Sequence, residues 1–338
     1  MDSRERVTRA VEFGGPDRPP VMHWTLPGAY RVHGAALEAL YERYPSDVLL
    51  SPISHGPFGF ASRRQAAGTG LIEDEWGVVW HYLTGDYEGQ PVVHPLADYA
   101  ALESYRWPDP LLGRERSEHM VEVVRADGHR HYVIASVGNL WQQLHHLRGY
   151  EECLLDLMDR SQEFSYLIER VAGWLRARIE FWCGFDEVDG LHIGDDWGSQ
   201  TQLMIRPALW RQIFKPVYRQ LVAAVHAGGK HAHFHTDGYT VDIIPDLIEI
   251  GFDTLNPQVW CMDAEDLGRR FAGKVCFRGE LDRQHVLPEG TPEEVREHVR
   301  KARRLFHTPA GGYIFYGQIG PDVPIANAEA MLATYYEG

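Results

Sequence analysis

The sequence predicts a single (β/α)8 barrel over residues 1–338, with an insertion between its second and third strands. Three observations carry this. Short apolar or β-branched runs alternate with amphipathic segments eight times, the pattern of parallel β-α units. The chain has 338 residues, room for one large barrel with additions. Neither GxGxxG after the first strand nor GxxxxGK[ST] anywhere occurs, which argues against a doubly wound nucleotide fold.

The eight predicted strands are 20–24, 47–52, 131–137, 190–194, 230–235, 252–256, 275–279 and 313–316. The clearest helix is 291–306. Thr291 and Glu294 form a capping box, Pro292 takes the first helical position, and Val295, Val299, Ala302 and Leu305 share one face. Acids crowd its start and Arg303 and Arg304 its end, as the helix dipole favours. A helix over 207–227 puts Leu209, Ile213, Val217, Leu221 and Val225 on one face and stops at Gly228-Gly229. Segments 241–250 and 264–271 read as shorter helices, and 151–182 as one long helix or two in succession. The insertion spans 56–110. It carries turn signals at Thr84-Gly85-Asp86 and Glu88-Gly89 and a hairpin-like run, Glu75-Trp76-Gly77-Val78-Val79-Trp80.

Composition narrows the function. Lys+Arg is 33 and Asp+Glu 48, a net charge of −15, so polyanions are poor partners and nucleic acid is not expected. No apolar run approaches the ~20 residues of a membrane span, and the charged N-terminal segment lacks an apolar signal core. The four cysteines, Cys153, Cys183, Cys261 and Cys276, form no CxxC and read as reduced thiols of a cytoplasmic protein. A homodimer is the expected assembly, because closed twofold symmetry is the commonest.

Barrel chemistry sits at the C-terminal ends of the strands. Those ends read His23-Trp24, Ser54-His55, Asn139 with Trp141, Asp195-Asp196-Trp197, His235-Thr236-Asp237, Asn256, Glu280 with Asp282, and Gln318. In His231-Ala232-His233-Phe234-His235-Thr236-Asp237, period-2 spacing sets the histidines and Asp237 on one side. His235 and Asp237 are the candidate ligands of one divalent cation. His231 and His233 are expected to be hydrogen-bonded inside the barrel. Asp195 and Asp196 are candidate catalytic carboxylates, since adjacent acids share a proton or hold a cation; a turn or cap role is the structural alternative. Trp24, Trp141 and Trp197 are candidate walls of a pocket for a flat or methyl-bearing substrate, with packing as the competing role. His23, Asn139 and Gln318 complete the substrate set. His55 and His145 are candidate acid–base groups. No GxSxG is present, and no Cys/His pairing sets up a nucleophile.

These residues resemble the uroporphyrinogen decarboxylase superfamily, which includes the cobamide-dependent methyltransferases. The likeness runs along nearly the whole chain: Arg4-Glu5-Arg6-Val7 to Pro16-Asp17-Arg18-Pro19-Pro20-Val21; His235-Thr236-Asp237-Gly238 through Ile244-Pro245-Asp246-Leu247-Ile248 to Asp253-Thr254-Leu255-Asn256-Pro257; Leu287-Pro288-Glu289-Gly290-Thr291-Pro292; and Gly311-Gly312-Tyr313-Ile314 to Pro321-Asp322-Val323-Pro324. The resemblance implies the same (β/α)8 barrel. The decarboxylases place an arginine-containing segment after strand one, where this chain reads Val21-Met22-His23-Trp24-Thr25-Leu26-Pro27-Gly28. They use an aspartate where this chain has Ser54-His55, a tyrosine where it has His145, and a histidine where it has Gln318. The methyltransferases bind zinc through His-x-Cys after strand five and a second cysteine after strand eight. Here His235 keeps its place, Asp237 stands at the first cysteine position, and 317–319 has no cysteine. Asp74–Gly77 and the Asp195-Asp196 turn resemble the methyltransferase branch. The resemblance therefore implies methyl transfer on a small substrate, a divalent metal with zinc expected, and a cobamide carried on a separate corrinoid protein. The alternatives are a decarboxylase or lyase acting on a non-tetrapyrrole carboxylate, with His55 or His145 as acid and Asp195 orienting it, and a barrel that binds cobamide or tetrapyrrole without turnover.

Overall fold

A computed structural model of the chain describes residues 1–50, 69–83 and 89–337. Eight parallel strands form a nearly closed barrel wrapped by helices. In chain order they are β1 (Val21–Thr25) and β2 (Val48–Leu50), then, after a separate sheet of β3 (Gly70–Glu73), β4 (Val79–Tyr82) and β5 (Gln90–Val93), β6 (Tyr132–Gly138), β7 (Gly190–Gly194), β8 (His231–Thr236), β9 (Thr254–Pro257), β10 (Cys276–Gly279) and β11 (Tyr313–Ile319). The barrel order is β1-β11-β10-β9-β8-β7-β6-β2. Each predicted strand overlaps its observed counterpart, with ends displaced by a few residues at most, and positions 51–52 of the second lie outside the described residues.

The helices follow local chemistry. Thr291 caps Pro292–Phe306 and the reciprocal capping box is formed. The predicted 151–182 segment is two helices, Tyr150–Asp159 and Gln162–Cys183, broken at Arg160 (φ 54°) and restarted by Ser161, whose hydroxyl accepts from Phe164 N. Pro207–Ala227 matches the prediction, but its deepest stripe is Trp210, Phe214, Tyr218, Leu221 and Val225. The stripe lies about one residue beyond the aliphatic face read from sequence, because the aromatic rings pack against Trp141, Trp197 and, on β8, Phe234.

β3, β4 and β5 form an antiparallel meander. Asp74 shapes its first turn: its carboxylate accepts from Trp76 N (2.9 Å), Val78 N (3.0 Å) and Trp80 Nε1 (2.8 Å). Trp76 then packs on Trp174 at 4.9 Å, tying the meander to Gln162–Cys183. The turn signal at 84–88 lies outside the described residues.

The barrel interior divides by height. Near the N-terminal ends of the strands, Met22, Tyr132, Ile134, Cys276 and Ile314 pack together. Tyr132 Oη meets His231 Nδ1 (2.8 Å) and His233 Nε2 (2.9 Å); His233 is a buried, hydrogen-bonded interior group, as expected, whereas His231 is half-buried at the strand start and also meets Glu12 (3.1 Å). The seam between β1 and β2 is held by Asp47, 1% exposed. Its backbone N donates to Val21 O (2.7 Å), and its carboxylate accepts from Val21 N (2.9 Å), Arg6 Nη1 (2.7 Å), Arg18 Nη1 (2.8 Å) and Ser3 Oγ (2.7 Å). No helix among the described residues is long and apolar enough to cross a membrane, and all four cysteines are free.

Asp47→Ala removes the acceptor and leaves the buried Arg6 guanidinium with Asp17 as its remaining acidic partner. Urea unfolding is expected to show a loss of about 3–5 kcal/mol, the cost of breaking a buried ion pair; a loss within ~0.5 kcal/mol, the usual size of a surface change, would contradict this role.

Candidate metal and active site

The loops after β7 and β8 cross at two glycines. Gly198 N donates to Asp237 O (3.1 Å) and Tyr239 N to Ser199 O (2.7 Å). Gly238 has φ +77°, and a Cβ there would stand 2.2 Å from Gly198 O; a Cβ on Gly198 would meet Tyr239 N at 2.4 Å. Only glycines permit this approach. It sets Asp196, on one loop, beside His235 and Asp237, on the other.

His235 Nε2 lies 3.3 Å from Asp237 Oδ1 and 3.7 Å from Asp196 Oδ1. One ligand atom from each of the three lies within 4.8 Å of the others, a separation a single cation can bridge. The remaining atoms of these side chains are held in place. Asn256 Oδ1 accepts from His235 Nδ1 (2.9 Å), turning Nε2 toward the acids. Gln142 Nε2 donates to Asp196 Oδ2 (2.8 Å), and Asp237 N to Asp196 Oδ1 (3.0 Å). Arg283 Nη2 donates to Asp237 Oδ2 (2.6 Å) and Nη1 to Gln318 Oε1 (2.6 Å), and Nη1 lies 3.3 Å from Glu280 Oε1.

The electrostatics follow from burial and crowding. Burial favours neutral His235, but Asp237, Asp196 and Glu280 outweigh it and raise the imidazole to about 9. Asp237 is also buried, yet His235 and Arg283 hold it down to about 2. Asp196 is shifted upward by burial and by Asp237. Burial lifts Glu280 to about 7. Asp237 Oδ1 is buried and accepts no well-formed hydrogen bond, facing only His235 Nε2 at 3.3 Å, so a cation in place of the imidazole proton would satisfy both atoms. With one imidazole and two carboxylates, the donor set fits a divalent cation.

The other predicted site residues divide. Gln318 reaches the cluster through Arg283, and Asn139 reaches it through Gln142, to which its amide donates. Trp24 lies in the interior next to Tyr316, ring centroids 6.4 Å apart. Asp195 does not stand with Asp196. It is fully buried and accepts from Leu140 N (2.8 Å), Gln142 N (2.9 Å) and Tyr218 Oη (2.5 Å). It thus caps the helix Trp141–Arg148, which carries Gln142, in place of a local cap. His145, pushed down to about 4 by burial and by His94, packs edge-on against Trp141 and Tyr150. It does not meet Asp195, so the expected acid–orienter pair is not formed. Trp141 and Trp197 stack on each other at 5.1 Å with no exposure; they are packing residues outside the mouth. His23 stacks on Tyr41 at 4.2 Å in the outer layer and is lowered to about 4 by burial. His55 lies outside the described residues.

Arg283 and Gln142 carry no sequence signal, for neither belongs to a motif. Asn256 and Glu280 are visible from the sequence only as polar residues at strand ends.

The family model described as uroporphyrinogen decarboxylase (URO-D) matches residues 77–337. No curated protein matches the chain in sequence. Among solved structures, a methyltransferase from Methanosarcina mazei superposes with a TM-score of 0.71 at 15% identity, covering 99% of this chain and 98% of that one. A chitinase from Chromobacterium violaceum superposes with a TM-score of 0.45 at 10% identity, covering 94% of this chain and 100% of that one. The first likeness carries the fold.

In metal-free protein, NMR titration of the His235 ring is expected to give a midpoint near 9. Asp237→Asn removes the largest charge that opposes burial, so the midpoint falls from that value. An unchanged midpoint in the variant would contradict the assignment.

Proposed function

The chain belongs to the uroporphyrinogen decarboxylase family, and from that premise we propose that it is a metal-dependent, methyltransferase-like enzyme. In this reading a methyl group passes between a small substrate and a cobamide carried on a separate corrinoid protein. The observation that carries it is the convergence of His235 Nε2, Asp237 Oδ1 and Asp196 Oδ1 at the C-terminal ends of the barrel strands. These three atoms would hold the metal, zinc being the cation expected. Bound there, it would lower the pKa of a coordinated thiol or hydroxyl and supply an anionic nucleophile at neutral pH.

The chain's own groups prepare the site. Asn256 fixes the tautomer in which Nε2 carries the lone pair. Gln142, set by the Asp195 cap, aims Asp196. Arg283 holds the far oxygen of Asp237, leaving Oδ1 toward the ligand position. With Asp237 at the first cysteine position, no thiolate at the second and Asp196 brought in from the loop after β7, the site is harder, weaker in its donation to zinc and more open to oxygen-preferring cations. The decarboxylase reading on a non-tetrapyrrole carboxylate has less support, since His145 and Asp195 stand apart.

Protein purified without chelator or nickel resin, assayed by plasma mass spectrometry, is expected to hold near-stoichiometric zinc. His235→Ala and Asp237→Ala should each lose at least about tenfold in affinity, since a removed ligand costs more than the 10–100-fold of a supporting partner. Methyl exchange between methylcobalamin and a panel of thiols and phenol ethers should fall with the metal. Metal content unchanged in both variants, or exchange absent from the whole panel, would overturn the reading.

A further inference from the structure

Arg278 lies inside the barrel and makes no hydrogen bond to the acids of the site. The registers of β8, β9 and β10 place His235, Asn256 and Arg278 at one height. Arg278 is 3% exposed. Its Nη2 donates to Asn256 Oδ1 at 3.0 Å, while Nε and Nη1 have no hydrogen-bond partner. His192 Nδ1 and His233 Nδ1 are also buried and unpartnered, and Arg278 is close enough to both to disfavour their protonated forms. A buried guanidinium with two idle donor nitrogens is costly, because each lost its water on folding. Such a group calls for an anion. Glu280, two residues along β10, is close enough to favour the charge on Arg278 but makes no hydrogen bond to it, its nearest cation being Arg283 at 3.3 Å. The wall beside Arg278 is flat and aromatic: its Cζ lies 5.3 Å from the Tyr316 ring centroid, and Trp24 packs next to Tyr316.

We propose that Arg278 receives the carboxylate of a small flat substrate lying along Tyr316 and Trp24, with its reacting end toward His235, Asp196 and Asp237. This rests on the functional reading above for the position of the reacting end and adds to it the substrate's chemical class. Arg278 is a binding residue here. The carboxylate takes the idle N–H groups, and the ring or planar body takes the aromatic wall.

The test uses the full chain, benzoate as the probe and benzamide as its neutral counterpart, followed by calorimetry. Wild type should bind benzoate, Arg278→Gln should bind it at least about tenfold more weakly, and Arg278→Lys should fall between, because a charge-assisted contact is lost in one and kept without its planar geometry in the other. Benzamide affinity should be alike in all three. Thermal melts accompany each variant; should Arg278→Gln fail to fold, Arg278→Lys carries the comparison. The same titration on His235→Ala separates the two claims: benzoate discrimination retained there upholds the carboxylate site whether or not the metal reading survives. Equal benzoate affinity in wild type and variants, or no benzoate heat at millimolar concentration, would overturn it and leave water as the occupant.

Discussion

The site depends on two loops that touch backbone to backbone. Where Gly198 meets Gly238 there is no room for a side chain on either strand of the crossing. That contact brings two acids from different β-α units to one imidazole, against their mutual repulsion. A methyl group at either position would push the loops apart and carry Asp196 away from Asp237. The rest of the mouth is arranged around the outcome. Asn256, Gln142 and Arg283 each bind the side of a ligand residue that faces away from its neighbours.

Charge is the next consequence. Asp196, Asp237 and Glu280 crowd a largely buried space with His235 and Arg283, and their shifts pull in opposite directions. A proton on His235 balances part of the negative charge, and a cation would balance more of it while satisfying Asp237 Oδ1. Two strands across from His235, at the same height, the sign changes. Arg278 faces His192 and His233, neutral rings, with two donors idle. An acid cluster on one side and a guanidinium on the other give the site a polarity across its width. That polarity suits a molecule with a reacting end at the acids and an anionic end at the base.

The fold was legible from the sequence because its signals are local. Eight apolar runs and the Thr291–Glu294 capping box depend on neighbours within a few residues. His235 and Asp237 were legible for the same reason, as a two-residue period on one strand. Asp196 was visible only as one half of a pair, and the sequence does not distinguish its role from that of Asp195. Distance explains the difference: Asp195 turns to Leu140, Gln142 and Tyr218, all more than twenty residues away. Trp141 and Trp197 resemble pocket residues from their places at strand ends, but their large apolar rings gain more by stacking on each other in the packed layer. Arg283 and Gln142 act through contacts forty or more residues apart, which composition and spacing do not encode.

The most direct test is X-ray absorption at the zinc edge of the zinc-loaded protein. The account predicts nitrogen and oxygen neighbours alone at about 2.0–2.2 Å, with one imidazole, from His235, Asp237, Asp196 and solvent. Sulfur at about 2.3 Å would contradict it, for then a cysteine rather than the Asp196–His235–Asp237 cluster would hold the metal.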